Sequence, residues 1–145
     1  MKTYKIFTSG RMSGLAYDRQ NGWQRRIEDL IKNRTDKSVV FVHPPMFYQY
    51  EENNPQNDIE SMNWEMNQLI DSDVLIVDLN DISYSIGTHI KLGIAAAVNK
   101  IAQKNIFIVG VGKPDTNHPW IVNGMFHCEE TLEDAADYIA NNLLI

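Results

Sequence analysis

Long apolar runs are missing from this chain. No stretch of about 18 consecutive apolar residues occurs, so no membrane-crossing helix is expected. Cysteine is nearly absent too: Cys128 stands alone, which rules out an internal disulfide framework and a multi-cysteine zinc site. Basic runs are lacking as well. Thirteen Lys and Arg against nineteen Asp and Glu leave a net charge of −6, and Arg25-Arg26 is only a pair. Broad binding along a nucleic-acid backbone is therefore not expected, although one small anion in a local positive pocket remains compatible with this balance. His43, His89, His118 and His127 are scattered, with no pair at helix-metal spacing, so neither a metal site nor a cofactor is expected. The opening MKTYKIF runs straight into a strand pattern without the apolar segment of a leader, and the expectation is a cytoplasmic protein.

What is present is the composition of a globular domain, 43% hydrophobic and 22% charged over 145 residues, with no repeat, low-complexity tract or linker. One domain spanning residues 1–145 is expected, large enough to bury a core. Apolar runs of four to six residues alternate with helix-period segments, which predicts βαβ units and a parallel sheet of four to five strands. Strands are predicted at Tyr4–Thr8, Val39–Val42, Val74–Asp78 and Ile106–Val109, with a short fifth at Met125–His127. Two prolines, Pro44 and Pro45, end the second. Helices are predicted at Tyr17–Asn33, Ile59–Asp71, Thr88–Gln103 and Leu132–Leu143, the last opened by a capping box of Thr131 and Asp134. Polar loops fill Phe47–Asp58 and Gly112–Gly124. In such sheets ligands lie beyond the carboxyl ends of the strands.

Two strand ends carry candidate chemistry. After the first strand comes Ser9-Gly10-Arg11-Met12-Ser13-Gly14, a small-residue loop with one cation, either a plain β–α turn or a cradle for a phosphate or sugar. It matches neither the dinucleotide fingerprint nor a P-loop. After the third strand, Ser85-Ile86-Gly87-Thr88 opens an apolar helix, where backbone N–H groups and the helix dipole favour an anion. Ser85 or Thr88 acting only as an N-cap is the plainer alternative. Glu65 and Asp78 are expected near the crevice, whereas Glu51, Glu52, Asp58 and Glu60 form a solvated face. Tyr48, Tyr50, Trp64 and Trp120 are candidates to stack on a base, core packing being the default for Trp64. Cys128 is expected to be an unreactive thiol.

The segments KIFTSGRMSGL, NWEMNQLIDSDVLIVDL, SIGTHIKLGIA and HPWIVNGM, in that order, resemble the nucleoside 2-deoxyribosyltransferase family and its nucleotide N-hydrolase relatives. The resemblance implies a flavodoxin-like, doubly wound α/β domain that cleaves an N-glycosidic bond by double displacement through a glutamate. It implies a homo-oligomer with a shared pocket, completed by Asn123-Gly124-Met125 of a neighbouring subunit. Glu65 would contact the base, Ser85 would stand near a 5′-phosphate, and Gly87 matches the motif glycine.

The catalytic glutamate of that pattern falls on Lys91. A carboxylate can attack the anomeric carbon and stabilise an oxocarbenium-like transition state; an ammonium is not nucleophilic and repels the developing cation. A loss of about 3 kcal/mol would slow the reaction about 100-fold. Lys91 suits an anion contact instead, unless it points outward, in which case Glu65 or Asp78 would have to substitute as nucleophile. The expected function is binding of a nucleoside, nucleotide or nucleotide-derived signal, with weak or no N-glycosidase activity. The alternative is an active transferase or nucleotide N-hydrolase.

Overall fold

The computed structural model describes residues 1–11, 17–44 and 55–145, with side chains described over 1–11, 22–44 and 59–145. Met12, Tyr48, Tyr50, Glu51 and Glu52 lie outside the described residues, as does the side chain of Asp58. Five strands form one sheet: β1 (Thr3–Ser9), β2 (Ser38–Val42), β3 (Val74–Asp78), β4 (Phe107–Val111) and β5 (His127–Glu129). All pairings are parallel, and the spatial order is β2-β1-β3-β4-β5. This is the doubly wound α/β arrangement with a switch point between β1 and β3.

The strands read as continuous apolar runs because the sheet is covered on both faces. Successive residues point to opposite sides. On one side Ile6, Ile76 and Val109 meet Ile27 and Ile31 of α1 (Tyr17–Lys32) and Ala135 and Ala136 of α5 (Leu132–Tyr138). On the other, Phe7, Leu75, Val77 and Ile108 meet Leu69 of α2 (Pro55–Ile70) and Leu92 and Ala95 of α3 (Ile86–Ile101). One further short helix, α4 (Pro119–Val122), interrupts what the sequence predicts as loop. Its first turn is set by Pro119 and by the ring of His118, which accepts the Trp120 N–H at 3.3 Å.

The differences from expectation sit at element ends. Helix α2 starts at Pro55 rather than Ile59, because proline is tolerated in a first helical turn. Helix α3 stops at Ile101 because Gln103 takes φ 55°, a left-handed conformation that ends a helix. The fifth strand is His127–Glu129 rather than Met125–His127, in register with Val109–Val111. The last helix is α-helical only to Tyr138, then widens over Ile139–Leu143, where Leu144 N–H reaches the Ile139 carbonyl. Thr131 does cap α5, accepting the Asp134 N–H at 3.1 Å. Among the described residues no helix is long and apolar enough to cross a membrane.

Candidate functional site

The carboxyl ends of β1 and β3 and the start of α3 meet at the switch point. Ser9 ends β1 beside Val77, and Gly10 follows it. A side chain at Gly10 would meet Asp78 Cβ at 3.0 Å and the Trp23 ring at 3.1 Å, so glycine is what lets the chain leave the strand here. Three hydroxyls then interlock. Ser85 Oγ donates to Thr88 Oγ1 at 2.6 Å, and Thr88 Oγ1 lies 2.9 Å from Ser9 Oγ, all three residues being buried. Ser85 occupies the N-cap position of α3 but its side chain makes no cap bond. Its hydroxyl is committed to the chain across to β1 instead of to the helix N-terminus. The simple capping alternative therefore does not describe Ser85. Gly87 leaves open space where a Cβ would stand, so the helix start is bare of side-chain bulk there.

Lys91, one turn further along α3, points inward. Its Nζ lies 2.8 Å from Glu65 Oε1 of α2 and 5.6 Å from the centroid of the Phe7 ring. Both side chains are nearly buried, 14% and 10% exposed. The outward-pointing alternative for Lys91 is thus overturned: helix α3 is not rotated, and Lys91 shares the inward side with Thr88, Leu92 and Ala95. At this depth each charge is compensated by the other. Arg11 is matched in the same way. Its Nη1 lies 3.3 Å from Asp81 Oδ2, and its guanidinium sits 5.0 Å from the Tyr84 ring centroid. Asp81 itself takes φ 56° to reach that position. This edge of the sheet is consequently less positive than Arg11 and Lys91 suggest in sequence.

Asp78 lies against Gly10, with Oδ1 accepting both the Asn80 N–H and the Asn80 side-chain amide at 3.0 Å. Burial raises its pKa, and the two Asn80 bonds only partly offset that. A carboxyl shifted this way suits holding a proton better than attacking as an anion. Asn123 and Met125 stand apart from these contacts. Asn123 is the exposed C-cap of α4, whereas Met125 packs beside Leu79 and Gly110 on the second core. Trp64 packs on that core as well, and Trp120 is exposed.

Some groups at this edge escape sequence reasoning. Thr8 Oγ1 lies 2.7 Å from His43 Nδ1, His43 Nε2 lies 2.8 Å from Glu28 Oε1, and Glu28 Oε2 takes Lys32 at 2.9 Å. Burial lowers the His43 pKa, with Glu28 pulling the other way. The one available signal is that His43 directly follows β2, at the same sheet edge. Asp115 holds the N–H of Ser83 at 3.0 Å and also accepts the Ser83 hydroxyl, tying the loop before α3 to the one before α4. Cys128 is exposed on β5, and partial burial of its sulfur raises the thiol pKa, so it is not a ready nucleophile. Among the described residues no group of three or more His, Cys, Asp or Glu is placed to hold a metal ion.

The chain shares its fold with a 2-deoxyribosyltransferase. The structure of that enzyme, from the psychrotolerant bacterium Bacillus psychrosaccharolyticus, superposes with TM-score 0.68 over 97% of this chain and 96% of its own, at 13% identity. An azoreductase from Bacillus anthracis str. Sterne aligns over 99% of this chain and 93% of its own, at 12% identity and a TM-score of 0.43. No protein-family model matches the chain, and no curated protein sequence does.

Proposed function

We propose that this protein binds a nucleoside, a nucleotide or a nucleotide-derived signal in the β1–β3 crevice and does not cleave it efficiently. One observation carries this reading: the position where the resemblance calls for a nucleophilic glutamate holds Lys91, paired with Glu65 at 2.8 Å. A protonated amine has no lone pair to attack the anomeric carbon, and its charge opposes an oxocarbenium ion. The same pairing occupies Glu65, so a substitute nucleophile there would first have to give up its ion pair. Ser9, Ser85 and Thr88 with the start of α3 supply the polar floor for a sugar or phosphate. Gly10, Gly87 and Arg11 border it, with Met12 assigned to it from the sequence. Ligand entry would draw on Arg11 or Lys91 only by competing with Asp81 or Glu65.

The alternative, an active transferase or nucleotide N-hydrolase, has one feature in its favour. Asp78 carries the raised pKa of an acid that could protonate a departing base. The carboxylate that acts on it, Asp81, is engaged by Arg11 at 3.3 Å.

The test is a thermal-shift screen of nucleosides, nucleoside monophosphates and ADP-ribose-type compounds, with chromatography of the same samples. Stabilisation by a compound recovered intact supports the binding reading; release of free base on a catalytic timescale overturns it. The structure also sharpens the expected gain-of-function change. Lys91→Glu alone would press two carboxylates together and push their pKa values up. Lys91→Glu with Glu65→Gln avoids this and is the variant expected to gain base release.

A further inference from the structure

A cavity of about 640 Å³ opens along one flank of α3, the size of an ordinary small-molecule site. None of Ser9, Gly10, Asp78, Ser85, Thr88 and Lys91 lines it, so it is separate from the β1–β3 crevice. Its shape follows from the helix. His89, Leu92, Gly93, Ala96, Ala97 and Lys100 recur at helical spacing and form one stripe roughly 16 Å long. The middle of that stripe is glycine and alanine, which leaves a hollow. A Cβ built at Gly93 meets nothing within 4 Å. Trp120 and Ile121 of α4 complete the apolar wall, with Trp120 still 85% exposed.

The polar groups of the lining are uneven. No aspartate or glutamate is among them, although the chain carries a net charge of −6. The one formally charged lining residue is Lys100, in the last turn of α3. Arg11 and Lys91 are matched by Asp81 and Glu65, whereas Lys100 has no carboxylate partner among the described residues. His89 marks the other end of the stripe, and its Nε2 is buried without a hydrogen-bond partner among the described residues. A buried polar atom left so is costly, and a bound polar group relieves the cost. His118 Nδ1 accepts the Trp120 N–H, which in the neutral ring leaves the proton on Nε2 as a donor. Asp115 stands near this end. Its two bonds from Ser83, and to a smaller degree the charge of His89, hold its carboxyl below the ordinary value.

We propose that this cavity is a second binding site, for a flat, mostly apolar molecule carrying one carboxylate. Its ring lies against Trp120 and the small-residue floor, and its carboxylate lies at Lys100. Three features choose that chemistry. A floor of alanine and glycine with an indole in the wall suits a ring better than a branched body. The unpaired cation selects an anion, since no carboxylate of the lining competes for it. Asp115 near the opposite end repels a negative group there, which fixes the orientation. That end offers the His118 donor to a neutral polar substituent instead.

Ligand-observed NMR titration of the full-length chain with 2-naphthoate, and with the neutral 2-naphthalenemethanol, tests this. The expected result is a dissociation constant below about 1 mM for 2-naphthoate, at least about threefold tighter than for the alcohol. Gly93→Leu fills the hollow and suits a helix better than glycine, so it should weaken 2-naphthoate at least about tenfold in a chain that still folds. Lys100→Glu should weaken 2-naphthoate about tenfold and leave the alcohol unchanged. Circular dichroism checks both variants. No binding of 2-naphthoate at about 1 mM, an affinity indifferent to Gly93→Leu, or an affinity indifferent to Lys100→Glu overturns the site. Neither substitution falls on a crevice residue, so each outcome leaves nucleotide binding to its own titration.

Discussion

The two sides of α3 divide unusually: the inner one sets Thr88 and the charge of Lys91 among the apolar Leu92 and Ala95, and the outer one exposes Ile86, Ile90 and Ile101. Polar chemistry faces inward: Thr88 joins Ser9 and Ser85, and Lys91 meets Glu65. Bare isoleucine faces outward. Burying a charge is costly unless it is paired, and exposing a wide apolar stripe is unusual unless something covers it. Helix α3 does both, with Glu65 answering the buried charge on its inner side. A single hydrophobic count over this segment would hide that division.

The largest expected break in that comparison comes from the buried pair. Lys91→Met should destabilise the fold by about 3 kcal/mol, because Glu65 is left as a buried carboxylate without its cation. Adding Glu65→Met should recover most of the loss, read from urea midpoints of the three variants. Next, Leu92→Ala on the inner side should cost about 2–3 kcal/mol at any protein concentration. Ile90→Ala on the exposed outer side should cost no more than about 0.5 kcal/mol, so melting curves of the two variants separate the two faces. Smaller still, Thr88→Val keeps the volume but leaves the Ser9 and Ser85 hydroxyls without their common partner. A cost of about 1–2 kcal/mol is expected, measured in the same assay.

The smallest effect is on pH. His43 is less basic in the fold than its ordinary value of 6.5, so the unfolded chain binds the extra proton. That contribution to stability is complete above 6.5 and declines as pH falls through 6.5 towards the folded value. Glu28 is more acidic than its ordinary 4.5, owing to Lys32 and His43, although burial opposes this. Its contribution declines only below 4.5. Asp78 has the opposite sign, since its raised pKa makes the fold relatively better off as pH falls. Melting temperature against pH should begin to drop near 6.5, and His43→Asn should remove that first drop.

Much of the fold was legible in the chain. Val74–Asp78 reads as a strand because a central strand of a covered parallel sheet is apolar on both faces. Thr131 with Asp134 reads as a cap because its partner is three residues away. The site was legible at its strand ends, where Ser9, Gly10, Asp78, Ser85 and Thr88 do converge. It was not legible in its pairings. Nothing local to Lys91 announces Glu65. His43 looked solitary because its hydroxyl partner, Thr8, is 35 residues away.

Sequence alone therefore determined the order and type of the elements, the parallel sheet and the edge on which its loops gather. These follow from short-range periodicity and from the limited ways βαβ units can pack. Tertiary structure alone decided which way Lys91 points, what neutralises it, and that Ser9 and Thr88, 79 residues apart, share a hydrogen bond. The reason is geometric. Spacing along a helix says which residues share a side, but only the packing of α2 and α3 on the sheet says which side turns inward and what waits there.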